Sequence, residues 1–332
     1  MLKGRQQIAI KQEALAGTVE TLAAADVVMH TGVAEYDAGG VEMVPREAMT
    51  SSLSPRGSVV GVQVGTIRWK QYLRGSYNHS TGALAAVAAG STEADFHVPM
   101  LGCGLASTIS GGAGSEQNSY SPSSTTISDE TTGAYCTVAL FEDGKRYRII
   151  GAQGNCKLTF TVGQPVLAEF EFTGRTTAPT DTALLSPVYP TFAEPAFLGA
   201  SLSIIGSYAA AKIRTLTLDF GNEISIRPDP NQATGVFTAQ IVRRRPVGTL
   251  DPEEVLAATN NFWGQWLAGT TGAITTGTFG GNNNNQFSLT IPVAAYTRVG
   301  LGDRDGVSNA PLEFECRASA ATGDDEFTLV QT

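Results

Sequence analysis

The sequence predicts a mainly β chain organised as two tandem β modules, each flanked by one helix. Three observations carry this. A β-rich block closes on Val166-Leu167-Ala168-Glu169-Phe170-Glu171-Phe172, and a second block closes near the C-terminus on Pro311-Leu312-Glu313-Phe314-Glu315-Cys316. Both blocks open on strand-like alternation, Gly65 to Lys70 in the first and Lys212 to Leu218 in the second. Each block carries one candidate helix between these ends, so both read strands, helix, strands. Self-similar units usually assemble with like units, which places function in assembly rather than in a pocket.

Taken in order, residues 1–60 read as an N-terminal arm with early strands, because Gln7-Ile8-Ala9-Ile10-Lys11 alternates with period 2 and Ser51 to Gly57 is turn-rich. The first module is expected over 61–175. Its helix starts at Ser91 or Thr92, where Thr92 and Asp95 make a capping-box pattern, with Phe96 and Leu101 facing the core and Gly102 as terminator. Pro99 keeps this helix short or kinked. Residues 107–133 are a Ser/Gly/Thr run with little apolar surface to bury, either a mobile loop or a projecting hairpin ordered by a partner. Alternating strands return from Tyr135 through Phe172, with a turn at Glu142 to Lys145.

A linker over 176–198 carries Pro179, Pro187, Pro190 and Pro195. The second module is expected over 199–332. Its helix reads from Asp251 as N-cap and Pro252 as first residue to Gly269 as stop, with Val255, Thr259, Phe262, Trp263, Trp266 and Leu267 as a core stripe.

Composition narrows the function. The net charge of −9 argues against gripping nucleic acid through its phosphates, yet fits a surface past which nucleic acid slides. No stretch approaches the roughly 20 apolar residues of a membrane helix. The N-terminus runs into Lys11 and Glu13 without an apolar signal core, so the chain is expected to start near Met1 and stay where it is made. Cys103, Cys136, Cys156 and Cys316 form no C-x-x-C and read as buried thiols, and His30, His79 and His97 share no ligand spacing. Asp303-Arg304-Asp305-Gly306 resembles the start of a calcium loop, but Phe314 stands at the twelfth position, so it reads as a tight turn. No nucleophile, phosphate cradle or cofactor motif appears, and the chain is read as a non-enzyme without cofactor or metal.

Arg243-Arg244-Arg245 before Pro246 is the densest positive run. It reads as an edge or intersubunit element.

The second block resembles the tail tube (major tail) proteins of long-tailed, non-contractile bacteriophages. The residues that carry this are Leu216 to Asn222, Arg227 to Asn231, Arg245 to Gly248 leading into Asp251 to Glu254, Phe262-Trp263, and Gly302 to Gly306; Gly154 to Gly174 looks like the same family's closing strands. The resemblance implies tail-tube-like β-sandwich or half-barrel modules whose sheets join those of neighbours. It further implies a virion tail protein, assembled in the host cytoplasm, that self-assembles into stacked rings. Those rings are trimeric if the tube domain is duplicated and hexameric otherwise. They contact other tail proteins and pass DNA during ejection without binding it specifically, with no membrane partner. On this reading the 107–133 run, through Ser115, Ser119, Ser123, Asp129 and Glu130, is the inter-ring loop. The alternative is an all-β decoration or carbohydrate-binding virion protein, and a β-fold hydrolase ranks last.

Overall fold

The computed structural model describes residues 2–46, 54, 56–86, 92–111, 116–131 and 133–332. Ser51 to Leu53 and Pro55 of the expected turn, Ser91 of the first helix and Ser115 of the inter-ring loop lie outside the described residues. With 52% strand against 6% helix, the chain is mainly β, in antiparallel sheets.

In the first half, β1 (Gln6–Gln12) and β2 (Val27–Val28) form a short hairpin, and β3 (Thr31–Arg46) and β4 (Arg56–Tyr72) a long one. Next come α1 (His97–Gly102), β5 (Leu105–Ser110), β6 (Gln117–Pro122) and α2 (Ser124–Ser128), then β7 (Cys136–Glu142), β8 (Lys145–Thr161), β9 (Leu167–Thr176) and β10 (Thr180–Asp181). The second half begins with β11 (Ser203–Ile204), β12 (Tyr208–Ala209), β13 (Thr215–Asp219), β14 (Asn222–Pro228), β15 (Val236–Arg244) and β16 (Val247–Leu250). It ends with α3 (Phe262–Leu267), β17 (Thr271–Thr275), β18 (Phe287–Val299), β19 (Gly302–Arg304), β20 (Val307–Asn309), β21 (Leu312–Arg317) and β22 (Thr328–Gln331).

The pairing pattern of the first half recurs in the second. Spatial order runs β2–β1–β7–β8–β9–β4–β3 in one and β12–β11–β17–β18–β21–β16–β13 in the other, every neighbour antiparallel. β10 lies beside the start of β8 as β22 lies beside the start of β18. Gln7 to Lys11, read from their alternation as an early strand, lie in β1 and pair with β7 inside the sheet. Pairing of β13 with β8, from Thr215 opposite Thr161 to Asp219 opposite Lys157, joins the two runs edge to edge.

The core is shared as well. One cluster of buried side chains includes Trp69, Phe170 and Phe172 from the first half and Leu218, Leu289 and Phe314 from the second. The Phe160 ring meets Phe197 and Phe279 edge-on, and Phe220 stacks on Phe327 with centroids 4.8 Å apart. Strict alternation produces this. In β9, Ala168, Phe170 and Phe172 point inward while Glu169 and Glu171 point out, and in β21 Leu312, Phe314 and Cys316 alternate with Glu313 and Glu315 in the same way. All four cysteines are free and buried.

β14 and β15 prolong the β13/β16 hairpin as a separate two-stranded arm. The break falls at Gly221, with φ +63°, where a Cβ would lie 2.0 Å from the Arg245 carbonyl oxygen. Only glycine fits that crossing. This arm folds back over the first half: Gln63 N–H donates to Thr234 O at 3.0 Å and Ile241 N–H to Gln153 Oε1 at 2.6 Å.

Several expectations need correction. The helix expected from Asp251 is only Phe262–Leu267, capped by Asn261 Oδ1, which accepts from Gly264 N–H at 2.8 Å. Asp251 instead accepts from the N–H groups of Arg214 and Thr215 at 2.9 and 2.8 Å, and Glu253 and Glu254 bond backbone to backbone with Lys212 and Ser308. Those long-range partners outcompete a local helical turn. Of the expected stripe, Phe262 is buried, but Trp263 and Leu267 are 42% and 78% exposed. The first helix starts at His97, not at Ser91 or Thr92, and its N-cap Phe96 makes no side-chain cap bond.

The 107–133 run is not an open loop among its described residues. β5 and β6 pair with each other, and β6 pairs with the C-terminal β22, from Asn118 opposite Gln331 to Tyr120 opposite Leu329. Tyr120 is fully buried and accepts from Asn118 Nδ2 at 2.9 Å. One aromatic ring and one distant strand supply the order that its composition hides.

The linker is pinned down: Arg74 pairs with Glu194, and Asn285 Nδ2 donates to Ala193 O at 3.0 Å. Asp303 to Gly306 is a tight turn between β19 and β20, with Asp305 and Gly306 at φ 54° and 86°.

Candidate assembly surface

The strands β4–β9–β8–β13–β16–β21–β18, with the start of β3 at one edge and β4 counted from Gly65 onward, bury one face in the core and turn the other outward. Backbone register sets rows of side chains across this outer face. One row runs Thr31, Lys70, Glu169, Lys157, Asp219, Val247, Glu315. The next runs Tyr72, Leu167, Thr159, Thr217, Thr249, Glu313, Arg298. A third places Glu35, Arg68, Glu171 and Asn155 side by side. The rows pass through the β8–β13 junction without a step.

Charges on this face are paired. Lys70 meets Glu169, Arg68 meets Glu171 at 2.7 Å, Arg298 meets Glu313 at 3.1 Å, and Glu315 sits between Arg317 at 2.7 Å and Arg245 at 3.2 Å. The bond to Glu171 lifts the Arg68 guanidinium above its ordinary value. The Arg317 bond, helped by Arg245 and opposed by burial, holds Glu315 below its usual 4.5. With Lys157, Glu35 and Asp219 of the same rows added, six cations stand against six carboxylates, so the chain's acidic excess is not concentrated here. Thr217 and Thr249 hydroxyls bond at 2.8 Å, and Asn155 Nδ2 donates to Asp219 Oδ1 at 2.9 Å, tying β8 to the end of β13. A cleft of about 360 Å³ lies on this face between Glu35, Arg68, Asn155, Lys157 and Asp219. Every polar group in it is a cross-strand neighbour, which is surface architecture and not a catalytic constellation.

The arginine run divides. Arg244 has a side chain only 7% exposed and bonds Asp324 at 2.8 Å and Glu326 at 3.1 Å, holding the turn before β22. Arg245 reaches Glu315 on the outer face, and Arg243 is exposed opposite Glu223. Nothing brings the three to one point.

The expected inter-ring residues are likewise spread out. Ser119 lies in β6 opposite Val330, and Ser123 caps α2 by accepting from Thr126 N–H at 3.2 Å. Asp129 accepts from Thr131 N–H at 2.8 Å, and Glu130 pairs with Arg227 at 2.7 Å. The residues that sequence reasoning missed are the outward ones of β3, β4, β8, β13 and β18. Their signal was the alternation itself, but register alone decides which of them share a row.

Among the described residues no cluster of His, Cys, Asp and Glu is arranged to hold a metal ion, and no described helix is long and apolar enough to cross a membrane. Burial pushes the thiols of Cys103, Cys136 and Cys156 well above their ordinary value and that of Cys316 to about 12, so none is poised as a nucleophile. The surface therefore presents paired charges, hydroxyls and sheet edges. Comparison with curated proteins gives no match. A family model described as phage tail tube protein matches residues 4–318, nearly the whole chain, and the chain belongs to that family of structural virion proteins.

Proposed function

We propose that this chain carries two tandem tube-like modules, that three copies close into a ring of six modules, and that stacked rings form the tail tube through which DNA passes during ejection. The observation that carries this is the β8–β13 junction. It already joins two sets of strands of the same spatial order into one sheet, and further joins of that kind build a closed wall. The outer face, with carboxylates and cations in matched pairs, suits the bore. It offers phosphates no cationic excess to hold them, and the threonines and paired charges let a polyanion slide. The role is mechanical, without catalysis, and assembly proceeds in the host cytoplasm before the tail joins the virion.

Stacking of rings is assigned to the hairpin of β5 and β6, where Ile109 is exposed near the outer end. Changing Ile109 to Lys should leave rings that fail to elongate. Negative-stain microscopy of concentrated protein, with rotational averaging of end views, tests the main reading. Tubes with threefold ring symmetry are expected; six equivalent chains per ring, or solitary particles at every concentration, refute it.

A further inference from the structure

We infer that the junction inside the chain is the template for the junction between chains: β3 of one copy pairs with the edge of β18 beyond β17 in the next, with Glu35 facing Arg298. That pairing displaces the Trp266 indole, which occupies the Thr297 carbonyl at 3.1 Å in the single chain. This rests on the ring-forming reading above and adds the partner strand, its register and the apolar contacts.

The register follows from the repeat. Glu169-Phe170-Glu171 in β9 and Glu313-Phe314-Glu315 in β21 occupy the same place in their halves, each between a hairpin strand and a long strand. Opposite Glu169 stand Lys70 and Lys157; opposite Glu313 stand Thr249 and Arg298. Arg298 is therefore the counterpart of Lys157. By the same route Glu35, opposite Arg68, is the counterpart of Asp219, opposite Val247. Asp219 faces Lys157 across the internal junction. Carried between copies, that pair becomes Glu35 facing Arg298, again acid against base.

The backbone agrees. Gly300 N–H donates to Pro311 O at 2.8 Å, so in an antiparallel ladder Val299 turns its own N–H and C=O away from β21, toward the open side. Val299 is the counterpart of Leu158, which faces Leu218 of β13. On the other edge, the counterpart of Leu218 is Ala34. Its N–H and C=O are held in the single chain by the Gln6 carboxamide, at 3.0 and 3.3 Å. A carboxamide offers the donor and acceptor of a peptide group, so Gln6 occupies the place that a neighbouring strand takes at Leu218.

Apolar surface is exposed on both sides and covered at the internal junction. Ile241 of the β14/β15 arm is buried over the end of α1, where a Cβ on Gly104 would come within 3.2 Å of its Cδ1. The matching glycine after α3, Gly269, has nothing within 4 Å; Trp263 and Leu267 of α3 are exposed, and so is Leu301 just after β18, at 74%. The matching arm, β3/β4 beyond Asp37, exposes Met43, Val44, Val59 and Val60. One arm has found its seat within the chain; the other arm and the other seat both lack cover. A second copy supplies each to the other.

The test is a paired cysteine substitution, Glu35→Cys with Arg298→Cys, in the full chain, whose native thiols are all buried. The internal counterparts flank the hydrogen-bonded pair of Leu218 and Leu158, so they occupy a non-hydrogen-bonded position, with Cα atoms about 4.5 Å apart, within disulfide reach. Mild oxidation of assembled protein should give a covalent ladder on denaturing gels that stops at three copies, and neither single variant should give one. Glu35→Arg alone and Arg298→Glu alone should abolish assembly, and the double exchange should restore it. Gln6→Ala should lower the concentration at which assembly begins. Tubes that form without the cross-link overturn this interface and leave the tube reading intact. A ladder running past three overturns closure by three copies, and protein that stays solitary at every concentration overturns both readings.

Discussion

Replacing Gln153 by Leu should unseat the β14/β15 arm from the first half of the chain. Gln153 is fully buried in β8; its Nε2 donates to Ile127 O at 3.0 Å, and its Oε1 accepts from Ile241 N–H at 2.6 Å. Leucine has similar volume but leaves one carbonyl and one N–H buried without partners. Each orphaned group costs about 1–3 kcal/mol, so the variant should lose roughly 2–6 kcal/mol of stability. That is a large share of the roughly 5–15 kcal/mol that holds a folded protein together. Urea denaturation followed by tryptophan fluorescence gives the total. Hydrogen exchange at the Ile241 amide reports whether the loss is local, because that N–H loses its acceptor in the variant. Asn283→Ala, on an exposed turn, serves as the control. A Gln153→Leu variant within about 0.5 kcal/mol of that control, with Ile241 still protected, would refute the assignment of Gln153 as the peg under the arm.

Trp69→Ala should cost about 3–5 kcal/mol, since Trp69 is buried and stacked on Phe170 and Phe172 at 5.2 and 5.3 Å; thermal unfolding reads it. Arg244→Met should free the turn between β21 and β22, because Asp324 and Glu326 lose their shared cation, and limited proteolysis should cut between Ala318 and Glu326 faster than in the parent chain. Glu315 has a folded-state pKa below its unfolded 4.5, so its pairing contributes stability that is complete above about pH 4.5 and lost as pH falls through the lower folded value. Melting temperature should therefore decline from pH 5 to pH 3 with a smaller slope in Glu315→Gln; identical slopes would show that the Arg317 and Arg245 contacts carry no linkage.

Alternation and turn residues made much of this molecule legible. Glu169-Phe170-Glu171 and Glu313-Phe314-Glu315 announce strands with one buried face, and the structure puts each between two partners. Asp305-Gly306 announces a turn, and the chain turns there with both residues at positive φ. Asp251-Pro252-Glu253-Glu254 misled, because a carboxylate that accepts the first N–H groups of a helix serves equally well for the N–H groups of Arg214 and Thr215. The Ser/Gly/Thr run misled in the opposite sense. Its order depends on Tyr120 and on β22, which lies at the far end of the chain.

By itself, then, the sequence determined the mainly β character and the buried faces of strands such as β9 and β21, since these depend on side-chain period and on residues a few positions apart. Tertiary structure decided which strands became neighbours, that β8 and β13 join the halves, that Arg244 turns inward, and that Trp263 and Leu267 face outward. Backbone hydrogen bonds between strands are indifferent to side-chain identity, so pairing partners are selected by the packing of the entire core rather than by any local pattern.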